Sequence, residues 1–226
     1  MWRGLNYSIN FGYGAVRGIR NAFLLGCLAT PVWADPVVIA ALGDSLTAGY
    51  GLPQDQGFVP QMQAWLDAQG AQVTVVNAGV SGDTTAGGLS RLDWTLTPDV
   101  DGLIVALGGN DYLRGLDPAV SKANLDAILA GADERGVPAM LVGIVAGANY
   151  GPDYQAAFNG MYPDLADSRA VPLIPNWFAA IQNGASARPG TMQGDGIHPN
   201  AEGVAQIVTE MGPAILSFAE TVDAKQ

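Results

Sequence analysis

From residue 36 onward, short apolar runs alternate with longer amphipathic stretches, and this alternation strongly constrains the fold. The apolar runs cover residues 36–42, 72–78, 101–107, 137–146 and 171–175. Their length and largely apolar character are typical of buried strands in a parallel sheet. Because an amphipathic stretch follows each run, the pattern predicts βαβ units. We therefore expect an α/β fold, a three-layer α/β/α sandwich with a five-stranded parallel sheet of flavodoxin-like strand order.

Helical spacing of apolar residues is clearest in four of the intervening stretches. The first covers residues 57–70 and ends at Gly70, and the second carries Leu89, Leu92 and Leu96. The third begins near Pro118, and the last extends from about Asn200 towards Phe218. Asn200 is a favourable N-cap for that last helix. The tryptophans at 65, 94 and 177 lie in amphipathic runs, so we expect them in the core. No repeat or low-complexity linker divides the chain, which predicts one domain over residues 35–226.

The N-terminal segment, residues 1–34, has a different composition. It contains three arginines and no acidic residue, and the apolar stretch AFLLGCLATPVWA closes it. A basic region, a short apolar region and a cleavage site with small residues are typical of a secretory signal peptide, and we expect cleavage after Ala34. The apolar stretch is shorter than the roughly 20 residues that a spanning helix needs. We expect a secreted or periplasmic protein, with a helix lying on the membrane surface as the alternative.

Composition excludes several classes of function. The single cysteine, Cys27, lies inside the predicted signal peptide, so the mature chain has no disulfide and no thiolate metal site. Loss of the three arginines changes the formal net charge from −11 to −14, a balance that disfavours nucleic acid as a partner. With one histidine and no cysteine remaining, a zinc site is not expected.

Ser45 follows the first predicted strand directly, in the stretch LGDSLTAGYG. In parallel α/β sheets, ligands bind outside the carboxyl ends of the strands. A helix beginning at Ser45 would also direct unpaired N–H groups towards that edge. Ser45 is therefore a candidate nucleophile. The alternative is that Asp44 and Ser45 only cap the helix.

Two further strand ends carry candidate hydrogen-bond donors. The second strand ends in NAGVSGDTT, where the backbone N–H of Gly79 is open to close approach by a ligand. The third ends in LGGND, where two glycines precede the side-chain amide of Asn110. Such donors can stabilise an oxyanion. Each of these residues is also an ordinary turn former.

His198, the sole histidine of the chain, lies in GDGIHPN, three residues after Asp195. A carboxylate at that spacing can accept a hydrogen bond from one ring nitrogen and leave the other free to act as a base. The alternative is a histidine in a surface loop. Taken together, the strand ends offer a nucleophile, a base with its orienting acid, and oxyanion donors, which are the groups that acyl transfer requires.

These motifs resemble the SGNH (GDSL) hydrolase family. GDS at 43–45, Gly79, GGND at 108–111 and Asp195-x-x-His198 match the family's four blocks in order. Within the family, the chain is most similar to the bacterial arylesterase, acyl-CoA thioesterase I and lysophospholipase L1 group. This likeness rests on the stretches SGDTTAGGLSRL, LGGNDYLRGL, ANYG and DGIHPN. The resemblance implies that Ser45 is the nucleophile, His198 the general base and acid, and Asp195 its orienting residue. It also implies an oxyanion hole made by the Ser45 and Gly79 amides with the Asn110 side chain, and no cofactor.

The sequence therefore predicts a serine esterase that hydrolyses aryl, acyl and lysophospholipid esters, with acyl thioesters as a further substrate class. Candidates for an apolar acyl groove are Leu46, Val80, Leu113 and Ile197. The stretch at 184–194 departs from the family pattern, because it is rich in Gly and Ala where bulkier apolar residues lining such a groove are expected. We expect a small-molecule ester or lipid as substrate, no metal, no nucleic acid, no stable membrane insertion after signal cleavage, and a monomer. The alternatives are a carbohydrate O-deacetylase on the same fold and a non-catalytic binding module.

Overall fold

The computed structural model describes residues 36–183 and 186–225, together with Met1, Trp2, Gly4, Leu5 and Ser8. The predicted signal peptide, residues 1–34, lies almost wholly outside the described residues, and its cleavage stays a prediction. No helix within the described residues has both the length and the apolar character needed to cross a membrane.

Five parallel strands form the central sheet in the order β2-β1-β3-β4-β5. They are β1 (Val37–Gly43), β2 (Val73–Gly79), β3 (Gly102–Ala106), β4 (Ala139–Val142) and β5 (Leu173–Ile174). The predicted flavodoxin-like order is confirmed. In the register of the sheet, Gly43 pairs with Gly79 on one side and with Ala106 on the other. The carboxyl ends of the three strands that precede the candidate residues therefore lie side by side.

Within the described residues, eight α-helices connect and follow the strands. They are α1 (Ser45–Ala48), α2 (Phe58–Ala68), α3 (Thr85–Ser90), α4 (Leu92–Thr95), α5 (Gly109–Leu113), α6 (Pro118–Asp133), α7 (Pro152–Arg169) and α8 (Ala201–Asp223). Two-residue strands β6 (Gln182–Asn183) and β7 (Ser186–Ala187) pair antiparallel after β5. The single helix predicted around Leu92 is two short helices. The βαβ pattern predicts a helix between the fourth and fifth strands, and α7 lies there. Asn200 caps α8 as predicted, since its side chain accepts a hydrogen bond from the Gly203 N–H.

Each face of the sheet packs on its own pair of long helices. Ile39 and Ala41 of β1 belong to a core shared with α2 and α8. Ala40 and Leu42 belong to the opposite core, shared with α6 and α7. Because successive side chains of a strand point to opposite faces, the uniformly apolar β1 is buried on both sides. The predicted three-layer sandwich is confirmed.

The three tryptophans do not share one environment. Trp177 is buried, and Trp65 packs against the same core. Trp94 is 86% exposed, so the prediction that it lies in the core is wrong. The four-residue helix α4 buries Leu92 and turns Trp94 to solvent.

Candidate active site

Ser45 is the first residue of α1, directly after the carboxyl end of β1. Asp44 caps the helix, because its Oδ1 accepts a hydrogen bond from the Leu46 N–H at 3.0 Å. The turn needs a glycine before it: a Cβ on Gly43 would lie 2.0 Å from Thr47 Oγ1. The helix begins at Ser45 as predicted, so the capping interpretation is correct for Asp44, while the Ser45 side chain points elsewhere.

The Ser45 hydroxyl contacts the only histidine of the chain. His198 Nε2 lies 2.8 Å from Ser45 Oγ, and His198 Nδ1 lies 2.6 Å from Asp195 Oδ2. With an ionised Asp195 as acceptor, the proton of a neutral imidazole is on Nδ1, and Nε2 can accept the Ser45 proton. The structure thus brings together the three side chains predicted to form the nucleophile, the base and its orienting acid.

Asp195 is held ionised by its hydrogen bonds. The His198 side chain, followed by the backbone N–H groups of His198 and Ile197, lowers the pKa of Asp195 from 3.8 to about 2. A carboxylate that accepts several hydrogen bonds is stabilised in its charged form. Asp195 therefore acts as an acceptor at any pH at which the site would operate.

Two residues that the sequence analysis missed position the His198 loop. The Tyr50 ring lies 4.7 Å from the His198 ring, centroid to centroid. The Gln193 backbone N–H donates to the His198 carbonyl, and Gln193 Nε2 donates to the carbonyls of Tyr50 and Pro199. These contacts tie the loop after α1 to the loop before α8. No local motif marks either residue, because each acts through a distant part of the chain.

Asn110 reaches the site from the end of β3. Gly108 adopts a φ of 119°, and a Cβ there would lie 2.2 Å from Tyr162 Oη, so only glycine fits this position. The turn places Asn110 near the start of α5, where its side chain lines the same cavity as Ser45 and His198. Its Nδ2 lies 3.3 Å from Asp44 Oδ2, and the amide keeps a second N–H to offer.

Gly79 ends β2 as predicted, but its N–H already has a partner within the protein. Its N–H donates to Asn77 Oδ1 at 2.9 Å and is not open to a ligand. Gly79 also does not line the cavity that contains Ser45. Instead, a Cβ on Gly79 would lie 2.3 Å from the Ala48 N atom, so the glycine allows α1 to pack against the end of β2.

Asp44 directly precedes Ser45 and is 2% exposed. Burial is the largest influence on its pKa, which is raised from 3.8 to about 6. Hydrogen bonds from the Leu46 N–H and Asn110, together with the charge of His198, act in the opposite direction. From the sequence Asp44 is expected only as a possible cap, because its contact with Asn110 joins residues 66 positions apart.

A cavity of about 240 Å³ opens beside Ser45. Its lining is mainly apolar and includes Leu46, Leu113, Ile144, Val145, Phe178, Ile181, Met192 and Ile197. Three of the four residues predicted for the acyl groove are confirmed as lining residues. The fourth, Val80, lies outside the cavity lining. No lysine or arginine lies among the described residues that line it, so the lining offers no cation to pair with an anionic group.

Comparison with known proteins supports a hydrolase. The model of the GDSL-like Lipase/Acylhydrolase family matches residues 41–206. Esterase TesA of Pseudomonas aeruginosa is 37% identical over 201 residues, which cover 87% of this chain and 98% of that protein. Thioesterase 1/protease 1/lysophospholipase L1 of Escherichia coli K12 is 38% identical over 170 residues, 75% of this chain and 77% of that protein. The crystal structure of AlinE4, a SGNH-hydrolase family esterase, matches with a TM-score of 0.68 and 40% identity over 82% of this chain and 97% of that one.

Proposed function

The chain belongs to the GDSL-like lipase/acylhydrolase family and is a serine esterase, and we propose that Ser45, His198 and Asp195 carry out its reaction. The predicted family, fold class and esterase activity are confirmed by the matches above. The observation that carries the assignment of residues is the continuous hydrogen-bonded chain from Asp195 through His198 to Ser45 Oγ. A pure binding module has no need of such a chain.

The reaction proceeds in two balanced steps. In the first, Ser45 Oγ attacks the ester carbonyl carbon while its proton passes to His198 Nε2, and that proton then leaves with the alcohol. In the second, water attacks the acyl-serine and gives a proton to His198 Nε2, which returns it to Ser45 Oγ as the acid departs. Asp195 keeps the imidazole in the required tautomer and stabilises the imidazolium that forms in both steps.

The oxyanion of each tetrahedral intermediate requires donors near Ser45. We assign two of them to the Ser45 backbone N–H and to Asn110 Nδ2. Among the described residues the Ser45 N–H donates to no other group, and Asn110 retains one N–H. For the third oxyanion donor we propose the turn after Gly79 in place of Gly79 itself. In that turn the exposed N–H groups of Ser81 and Gly82 have no acceptor within the described structure.

The cavity supports a carboxylic ester with an apolar acyl or aryl part. Its lining offers aliphatic and aromatic side chains and no basic group among the described residues. Burial of each added CH₂ of the substrate contributes about 0.8 kcal/mol. Aryl esters, simple acyl esters and lysophospholipids fit this description, and acyl thioesters present the same carbonyl to Ser45. We propose that the mature protein begins after Ala34, is secreted or periplasmic, and acts as a monomer.

The test is a hydrolysis panel on the purified mature chain. It contains p-nitrophenyl esters of increasing acyl length, phenyl acetate, a lysophospholipid, an acyl thioester and acetylated oligosaccharides. We expect kcat/KM to rise from acetate through at least butyrate, with poor turnover of the oligosaccharides. A kcat/KM at least tenfold higher for acetate than for the longer esters, together with a higher kcat/KM for acetylated oligosaccharides than for every simple ester, would contradict this proposal. That result would indicate a carbohydrate O-deacetylase.

A further inference from the structure

The carboxylate of Asp44 uses its two oxygens for different purposes. Oδ1 accepts the Leu46 N–H and caps α1, whereas Oδ2 faces the side-chain amide of Asn110 at 3.3 Å. The carboxylate is buried, and a Cβ on Gly109 would lie 3.1 Å from Oδ2. The close backbone at Gly109 leaves Oδ2 little room to turn away. Asp44 thus connects the element that carries the nucleophile with the element that carries Asn110.

The two ends of an asparagine amide have nearly the same shape, so Asn110 needs a partner that selects its orientation. An ionised carboxylate is such a partner, because it only accepts hydrogen bonds and therefore faces the nitrogen. With one N–H on Asp44 Oδ2, the second N–H of the same nitrogen is left to point elsewhere. A flipped amide would present its oxygen, which repels an oxyanion.

We propose that Asp44 is a positioning residue that holds the Asn110 amide with its nitrogen towards the oxyanion. Asp44 borders the cavity with a buried side chain, and in this proposal it acts on the reaction through Asn110. The proposal rests on the proposed function, since it requires Asn110 to be an oxyanion donor. It adds a fifth polar side chain, adjacent to Ser45 in sequence, on which the reaction rate depends.

Two substitutions separate this role from the capping role. Asp44→Asn keeps an oxygen for the Leu46 N–H and turns an amide nitrogen towards Asn110, where a donor meets a donor. Asp44→Ser keeps a hydroxyl that can cap α1 but does not reach Asn110. The matched control is Asp101→Asn, because Asp101 Oδ2 accepts the Val38 N–H at 2.8 Å at the opposite end of β1.

The experiment measures kcat and KM on p-nitrophenyl butyrate for each variant, alone and combined with Asn110→Ala. We expect both Asp44 variants to lower kcat by about tenfold or more, with KM within about twofold, because the oxyanion exists only along the reaction path. Asp101→Asn should keep the kcat of the parent. Each double variant should be no slower than Asn110→Ala alone, since the Asp44 effect passes through Asn110.

Affinity for phenylboronic acid, which forms an anionic tetrahedral adduct on the nucleophile, is the second readout and should fall in parallel with kcat. The proposal would be overturned if the reductions in kcat from the two single substitutions multiply in the double variants. It would also be overturned if Asp44→Asn or Asp44→Ser is folded and keeps the parent kcat. If Asn110→Ala itself keeps the parent kcat, the oxyanion assignment under the proposed function fails too. If Asn110→Ala is slow while the Asp44 variants are not, only the positioning role fails.

Discussion

His198 Nε2 lies 2.8 Å from Ser45 Oγ, although 153 residues separate them in the sequence. The contact exists because β1 is an interior strand of the sheet, and the loop before α8 returns to the carboxyl end of that strand. Asp195, in contrast, is three residues from His198 and meets it within one turn. His198 and Asp195, the proposed base and its orienting acid, therefore form a local unit, whereas the fold brings Ser45, the proposed nucleophile, to them.

Replacement of Asp195 by asparagine should leave the fold intact and remove most of the activity. The amide oxygen can still accept the N–H groups of Ile197 and His198, but the amide nitrogen faces His198 Nδ1 and favours the wrong tautomer. We expect kcat to fall by about 10⁴-fold, measured on p-nitrophenyl butyrate. The control is Asp117→Asn, because Asp117 caps α6 through the Ala119 N–H in a similar turn far along the chain. A kcat for Asp195→Asn within about tenfold of the parent would rule out the orienting role.

The buried Asp44 predicts a pH dependence of stability. Its pKa is raised to about 6 by burial, with Asp111 adding to the rise and His198 and Asn110 opposing it. Because the native state holds this proton more tightly than the unfolded chain, the free energy of unfolding should fall as pH rises from about 4 to 7. The loss from this one group is up to about 3 kcal/mol.

Urea unfolding of the parent and of Asp44→Asn at several pH values measures this effect, since the contributions of the other carboxyl groups cancel in the difference. The parent should lose stability relative to the variant as the pH increases through this window. A difference that stays constant, or that changes in the opposite direction, would mean that burial does not control the ionisation of Asp44.

Acyl-chain preference should depend on the side chains that line the cavity. Leu113 is 51% exposed and lines it, while Val80 is 47% exposed and does not. Burial of one CH₂ is worth about 0.8 kcal/mol, or about fourfold in kcat/KM. We expect Leu113→Ala to flatten the rise of kcat/KM from p-nitrophenyl acetate to butyrate, and Val80→Ala to leave it unchanged. Equal effects of the two substitutions would show that this cavity does not receive the acyl chain.

The sheet could be predicted from the sequence because its strands are buried on both faces. A strand such as β1 then reads as a continuous apolar run, and helices on both faces follow from the alternation. The helices were harder to place. The predicted single helix around Leu92 breaks at Arg91, whose guanidinium donates to Asp83 and to the carbonyls of Ala78 and Gly43. These partners lie in other elements, so no local pattern indicates the break.

The proximity of the candidate catalytic residues can be predicted from the sequence for a different reason. Ser45, Asn110 and His198 stand where strands or loops end at the edge that binds ligands, and their chemistry is distinctive. The partner of the Gly79 N–H could not be predicted, because a glycine after a strand does not indicate what its N–H contacts. In the structure that partner is the side chain of Asn77. The burial of Asp44 and its contact with Asn110 could not be predicted, because both arise only when β1 and β3 lie side by side.

Covalent labelling of Ser45 tests the mechanism most directly. Diethyl p-nitrophenyl phosphate transfers a diethylphosphoryl group to an activated serine and releases p-nitrophenolate, and peptide mass spectrometry locates the group. We predict one diethylphosphoryl group per chain, on Ser45, with activity lost in proportion to labelling. Ser45→Ala should be folded, unlabelled and inactive on every ester. Label on another residue with Ser45 unmodified, or ester hydrolysis by folded Ser45→Ala at the parent rate, would contradict the assignment of Ser45 as the nucleophile.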